Sequence, residues 1–335
     1  MAFSSIAKSL NGVITLNCIR HNKVFTKQEI AKQSNLSFPT VSKIIDEFVE
    51  RNIVLSLGIQ ENSLGGRKAA VFRLNVDFSH ALILFLQEHK IYYQVVNALG
   101  EPILQSMKEY KLTVTLTNIY EIVDDILQQD SLIGAISIGI PGSVSNGKIY
   151  DIDGYDSLKE CDLQKMLSEH YLIPIKVSNN MNAIATGMAD KLSCTTENLV
   201  CIHLAQTGPG CSAVVNGKAV DGFCGFHGEI GFIPFYNDKT LQEIALSGFQ
   251  NVNLGEYIGK IAISLITILN PRSMIFYIEQ NKLKWEVAME QYCKKYLPER
   301  VLPEFIYSNS YQNDYFYGLT LLGTTLLYEE IGQAK

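Results

Sequence analysis

At 335 residues, with 47% apolar and 19% charged side chains, the chain is long enough for two or three packed domains and has an ordinary globular composition. The net charge is −6, yet residues 1–75 hold ten Lys/Arg against five Asp/Glu, so a basic N-terminal part precedes an acidic remainder; that asymmetry suits a head that meets a polyanion. No apolar run is long enough to span a bilayer, the start of the chain does not read as a secretory signal, and the seven cysteines show no C-x-x-C spacing. A disulfide framework and a structural zinc site are therefore not expected, each cysteine reads as a small buried hydrophobe, and the protein is expected in the cytoplasm.

Taken in order, Ile6, Leu10, Val13, Ile14, Leu16 and Ile19 recur at helical spacing, which predicts a helix over residues 4–21. Thr26 with Glu29 forms a capping box that opens a second helix, ending near Ser34 and Asn35. A short turn at Leu36, Ser37 and Phe38 follows. Pro39 stands at the expected first residue of a third helix, which buries Val41, Ile44, Ile45, Phe48 and Val49. Helix, short turn, helix is the helix-turn-helix arrangement. Ser37, Pro39, Thr40, Ser42 and Lys43 lie at the start of the third helix, where short hydrogen-bonding groups and a cation can read a major groove. Residues 53–55 and 70–74 read as two strands. The loop between them ends in Gly65-Gly66-Arg67-Lys68, a wing tip whose Arg67 and Lys68 suit phosphate or the minor groove. A winged helix used only to bind protein is the competing reading.

Beyond residue 76, three strands (81–86, 91–98 and about 102–110) form a meander, followed by a helix at 118–129, a strand at 135–140, a helix at 163–171 and a strand at 175–178. A second set starts with strands at 199–204 and 212–215, a helix at 255–269 and a strand at 274–278. A last helix is predicted over 318–331, packing back on the first set. Meander followed by alternating helices and strands suits a two-lobed α/β body.

The run Leu36-Ser37-Phe38-Pro39-Thr40-Val41-Ser42 with Gly65-Gly66-Arg67-Lys68 resembles the winged-helix head of regulators in the ROK family (repressor, open reading frame, kinase), and the body resembles that family over nearly its whole length. Those regulators are sugar-responsive bacterial repressors with bodies related to sugar kinases. The resemblance implies an actin-like, ribonuclease H-like ATPase fold behind a winged helix-turn-helix. It divides the chain into 1–75, a first lobe 76–190 and a second lobe 191–335.

The family's motifs are altered in this chain. Its kinases carry Asn-Asp-x-Asn, in which the Asp is the base for the sugar hydroxyl. Here the match is Asn179-Asn180-Met181-Asn182. Asn180 is not basic near neutral pH, but it can still donate and accept hydrogen bonds. The first phosphate loop is matched to Asp77-Phe78-Ser79-His80, with bulky side chains for glycines. The second is matched to Gln206-Thr207-Gly208-Pro209-Gly210. The adenosine-side strand ends in Tyr277-Ile278-Glu279-Gln280 where the family has Gly-Gly. Gly228-Glu229-Ile230-Gly231 matches Gly-Glu-x-Gly-His, with Phe232 in the histidine's place and none of the zinc-loop cysteines. Pro141 and Gly142 match a loop that borders the sugar, and Glu243 aligns with a second sugar carboxylate. The implied effector residues are Pro141, Gly142, Asn179, Asn180, Glu229 and Glu243, with no catalytic residue, metal or cofactor.

The expected protein is a DNA-binding repressor of carbohydrate genes. It would bind a palindromic operator as a homodimer or higher oligomer, answer to a sugar or sugar derivative, and lie off the membrane. The alternatives are a sugar kinase with an appended head and a regulator whose body only dimerises, with Phe232 filling the pocket.

Overall fold

The computed structural model describes residues 2–60, 69–194, 196–205, 208–236, 238–250, 252–278 and 285–333. The N-terminal elements are α1 (Ala2–Arg20), β1 (Phe25–Thr26), α2 (Lys27–Ser34), α3 (Phe38–Glu50), β2 (Val54–Gln60) and β3 (Ala69–Leu74). α2 and α3 have their starts and stops written into the sequence. Thr26 and Glu29 make the expected capping box, Asn35 closes α2 in the left-handed region, and Ser37 caps α3 by accepting from Thr40 N. Val41, Ile44, Ile45 and Phe48 give α3 one buried face. The strands form an antiparallel sheet in the order β1-β3-β2. β1, two residues long, is too short to show in the sequence pattern.

The first five-stranded sheet contains β4 (His80–Gln87), β5 (Lys90–Val96), β6 (Pro102–Glu109), β7 (Ile133–Ile140) and, further on, β10 (Ile175–Asn179), in the order β10-β7-β4-β5-β6. α4 (Leu116–Gln129) precedes β7. A small hairpin, β8 (Ser143–Ser145) with β9 (Lys148–Asp151), and α5 (Leu163–Tyr171) lie between β7 and β10, and α6 (Asn180–Lys191) leaves β10 directly. β4 is central, and its near-continuous apolar run reflects burial on both faces. Leu82, Leu84 and Leu86 pack with Ile119, Val123 and Leu167. Ala81, Ile83 and Phe85 face the other way.

The second sheet takes β11 (Leu199–Ala205), β12 (Gly208–Val215), β13 (Lys218–Ala219), β16 (Ser273–Ile278) and β17 (Glu304–Ser308), in the order β13-β12-β11-β16-β17. Between β13 and β16 come the strand pair β14 (Pro234–Tyr236) and β15 (Lys239–Thr240), then α7 (Leu241–Leu246) and α8 (Leu254–Leu269). α9 (Trp285–Tyr296) precedes β17, and α10 (Tyr311–Gln333) ends the chain. α9 and β17 are additions to the elements read from the sequence.

α6 and α10 join the two sheets. One core cluster takes Ala81, Ile83 and Phe85 from the first sheet, Leu199, Cys201 and Ile275 from the second, Ile184 from α6 and Leu319 from α10. α10 packs on strands of the first sheet and starts seven residues before the predicted 318. No helix among the described residues is long and apolar enough to cross a membrane. Six cysteines are buried or half-buried, whereas Cys224 is exposed.

Candidate functional site

The parallel strands β7 and β10 end side by side, with Asn179 paired to Ile140. The backbone then turns from β10 into α6, and Asn179 is the residue that makes the turn. Its Oδ1 accepts from Met181 N at 2.8 Å and Asn182 N at 3.1 Å, and its Nδ2 donates to Gly142 O at 2.6 Å. Both ends of this amide are thus engaged: Asn179 caps α6 and holds the Pro141–Gly142 loop, positioning the site. Asn180 follows as the first helical residue. Its Nδ2 donates to the Tyr311 hydroxyl at 3.0 Å, and its Oδ1 accepts from Met181 N at 2.9 Å. Asn182 is buried and bridges α6 to the second sheet. Its Oδ1 accepts from Ser212 Oγ at 2.6 Å, and its Nδ2 donates to Asp221 Oδ1 at 3.0 Å.

Glu229 comes from the loop that follows β13. Gly228 O accepts from Cys211 N at 2.9 Å, and Gly228 sits at φ +87 so tightly against Cys211 O that a Cβ there would collide. Only glycine meets both demands, which fixes where the next residue starts. The Glu229 carboxyl accepts no hydrogen bond from the described residues and is pushed above its ordinary range, first by burial and then by Asp151 and Asp153. Burial pushes the nearby His227 down, with Asp221 opposing, and its Nδ1 is buried without a partner among the described residues. The loop is tied to the β8–β9 hairpin by Ser143 Oγ, which donates to Gly225 O at 2.7 Å in a buried contact. Phe232 is 52% exposed, and its ring lies against Phe226 at 5.3 Å.

Two readings from the sequence are corrected. Glu243 is exposed and engaged at its own helix end: its carboxylate accepts from Thr240 N at 2.8 Å, closing a capping box on α7. The run Thr-Leu-Gln-Glu satisfies the helix end locally, and Gln242, not Glu243, packs against Gly208 and Gly231. Asp77–His80 lies at the wrong end of β4. His80 pairs with Ile133 at the start of β7 and its Nδ1 bonds Asp130 at 2.6 Å, while Asn179 sits at the far end of the sheet. The segment that faces Asn179 from β4 is the β4–β5 turn, Gln87-Glu88-His89-Lys90, where Gln87 Oε1 accepts from Gln312 Nε2 at 3.0 Å. Gln206, Thr207, Glu279 and Gln280 lie outside the described residues. Tyr277 is buried, and its hydroxyl donates to Asp314 at 2.9 Å.

A ROK family model matches residues 88–252. The chain carries a ROK family domain. Among similar proteins, a xylose repressor of Caldicellulosiruptor bescii is 23% identical over 256 residues, 71% of this chain and 62% of that protein. The dual regulator NagC of Escherichia coli K12 is 25% identical over 240 residues, 68% of this chain and 58% of that one. The chain thus spans about three fifths of the length of these curated relatives. Among solved structures, a ROK family transcriptional regulator described as a homologue of the E. coli MLC protein covers 98% of both chains with a TM-score of 0.77 at 16% identity. The ROK hexokinase of Thermus thermophilus covers 73% of this chain and 97% of its own, with a TM-score of 0.60 at 16% identity. These likenesses establish the ROK sugar-kinase-like α/β fold. A ROK zinc site does not fit this chain: Phe232 offers no ligand atom, and no group of three His, Cys, Asp or Glu converges among the described residues.

Ahead of the ROK domain, the start of α3 is exposed at Ser37, Phe38, Pro39 and Lys43. Ser37 Oγ and Thr40 Oγ1 share a 2.8 Å hydrogen bond. Ser42 is engaged inside the fold: it accepts from Lys27 Nζ at 3.0 Å, and Lys27 also pairs with Asp46 at 2.5 Å. Ser42 thus fastens α3 to α2 and is a positioning residue for the exposed face. Arg67 and Lys68 lie outside the described residues. Phe38, 52% exposed, and Tyr311 were not singled out from the sequence. Phe38 reads as turn filler, and Tyr311 is 131 residues from the Asn180 it bonds.

Proposed function

We propose that the protein is a sequence-specific DNA-binding regulator, a repressor of carbohydrate genes, whose ROK domain binds a sugar or sugar derivative without turning it over. The observation that carries this reading is Asn180. An amide, bonded to Tyr311 at 3.0 Å, occupies the head of α6 where the family's kinases carry a carboxylate. An amide there holds a hydroxyl but does not take its proton at neutral pH. Glu229, half-buried and without a hydrogen bond from the described residues, is suited to accept from ligand hydroxyls, with Pro141 and Gly142 bordering the site in this reading. Phe232 is exposed rather than buried as the filling of a closed pocket would be, which supports a binding body over one that only dimerises.

In this reading residues 1–75 are a winged helix-turn-helix, 76–190 and 191–335 are the two lobes, and the cytoplasm is the place of action. α3 enters the major groove through Ser37, Phe38, Pro39, Thr40 and Lys43, while Arg67 and Lys68 at the wing tip meet phosphate or the minor groove. In the same reading the protein binds a palindromic operator as a homodimer or higher homo-oligomer. Effector binding shifts the population between arrangements of the two heads, which requires unequal affinity for them.

The test is selection of bound genomic fragments by the full chain, followed by operator titration with and without monosaccharides and their phosphates. Selective retention of a palindromic sequence, with affinity changed by one sugar class, is expected. ATP-dependent turnover of a sugar that vanishes on changing Asn180, or indifference to DNA sequence, would overturn the reading.

A further inference from the structure

The helix α10 starts at the candidate effector site and finishes in the core of the N-terminal elements. At its first residue, the Tyr311 hydroxyl holds Asn180 Nδ2 at 3.0 Å. The Tyr311 ring stacks on His203 at 4.1 Å and meets Tyr277 edge-on at 5.7 Å. In the next turn, buried Asp314 accepts from Lys191 Nζ at 2.5 Å, Tyr277 hydroxyl at 2.9 Å and Ser308 Oγ at 3.2 Å, so this end of α10 is clamped to α6 and to both strands of the second sheet's edge. Tyr315 lies against Gly139, and Gly318 crosses α6 at Ala183 and Gly187.

The other end is fastened as firmly. Tyr328 is 2% exposed and packs in one cluster with Leu16, Ile19, Phe25 and Phe72, and its hydroxyl donates to Ala98 O. Arg20 lies over the Tyr328 ring at 5.9 Å. Arg51, the residue that closes α3, donates from Nη1 to Ile331 O at 3.3 Å. The two anchor points, Tyr311 and Tyr328, are thus separated by one uninterrupted helix of roughly 25 Å at 1.5 Å per residue. A packed helix of this kind moves as a body, because its side chains interdigitate too closely to absorb a shift locally.

We propose that α10 is the relay between effector and DNA, with Tyr311 as the residue that senses occupancy. This rests on the reading of the Asn180 site as a sugar site. Asn180 Nδ2 carries two N–H groups, and a ligand oxygen that takes the one now given to the Tyr311 hydroxyl displaces that hydroxyl. The occupied and empty states then differ in the contact that seats the first turn of α10, which supplies the unequal binding a switch needs. A displaced first turn shifts Tyr328 and Ile331, and through Arg51 the end of α3.

Tyr311→Phe tests this, because it keeps the ring stack and removes only the hydroxyl. Hydrogen exchange of the full chain without any sugar is the first readout. Exchange at residues 322–333 and 44–51 is expected to rise several-fold in Tyr311→Phe, and unchanged exchange there overturns the relay. Operator affinity with and without xylose, glucose, N-acetylglucosamine and its 6-phosphate is the second. Where one of these changes wild-type operator affinity, that change is expected to fall toward one-fold in both Tyr311→Phe and Tyr328→Phe, with sugar affinity in Tyr328→Phe within about three-fold of wild type; retained coupling in both variants overturns the proposal. Altered exchange in Tyr311→Phe with no sugar bound by the wild type would sink the sugar reading while the relay stands.

Discussion

Gly318 on α10 lies directly against the carbonyl oxygen of Ala183 on α6, so close that a Cβ at Gly318 would occupy the oxygen's place. Gly187 sits on the same crossing, its own Cβ position 2.8 Å from Gly318 Cα. Small residues here let the two helices that join the sheets touch backbone to backbone. Gly318→Ala is therefore expected to cost about 1–3 kcal/mol, the usual penalty of overpacking, despite alanine's better helix propensity. A lowered urea midpoint would register it; an unchanged midpoint would mean that the crossing yields freely.

Asp314 gathers Lys191, Tyr277 and Ser308 around one buried carboxylate. Asp314→Ala leaves those donors without their acceptor. A loss of about 3 kcal/mol is expected, at the lower end for a broken buried pair because Lys191 is 36% exposed. Tyr277→Phe removes one neutral donor and is expected to cost about 1 kcal/mol. Thermal unfolding of the two variants should rank them in that order.

Glu229 is held above the ordinary carboxylate range by burial and by Asp151 and Asp153. A raised folded-state pKa means that the folded chain binds the proton more tightly than the unfolded chain. The group's contribution is complete below the unfolded carboxylate range and is lost as pH rises through the folded value. At neutral pH the charged form is a liability, so Glu229→Gln is expected to raise stability by roughly 1 kcal/mol while weakening sugar binding at least ten-fold. Calorimetry with sugar and thermal melts at neutral pH and near pH 4.5 check both parts. The stability gain should shrink at the lower pH.

Phe38 and Lys43 are exposed on the first turns of α3. Phe38→Ala is expected to relax base preference at one or two operator positions by about 1 kcal/mol, as on losing an apolar contact to a thymine methyl. Lys43→Ala and Arg67→Ala are expected to weaken binding across sequences and lower the salt slope by about one each. Selection of randomised operators, with affinities at several salt concentrations, separates the two kinds of effect.

Much of this architecture could be read from local pattern. The Thr26–Glu29 capping box, the buried face of α3, and β4 with its run of apolar residues all follow from side chains a few positions apart. The start of α10 could not be read in this way. Ser310, Tyr311, Gln312 and Asn313 show no apolar stripe, because this helix is packed on several sides by α1, α6, β4 and β7 rather than along one face. The short strand β1 and the hairpin β8–β9 are likewise held by partners distant in sequence.

The candidate site divides along the same line. The sequence placed an amide, Asn180, where the resembling family's kinases carry an Asp, and set Glu229 between Gly228 and Gly231. Which atoms those residues use was decided only in three dimensions. Asn179 is spent on capping α6 and on Gly142, Glu243 is spent on its own helix end, and Asn180 meets Tyr311. A side chain's hydrogen bonds go to whichever donors and acceptors the fold brings within about 3 Å. Where those partners lie more than a hundred residues away, only the packing of α6 against α10 can choose them.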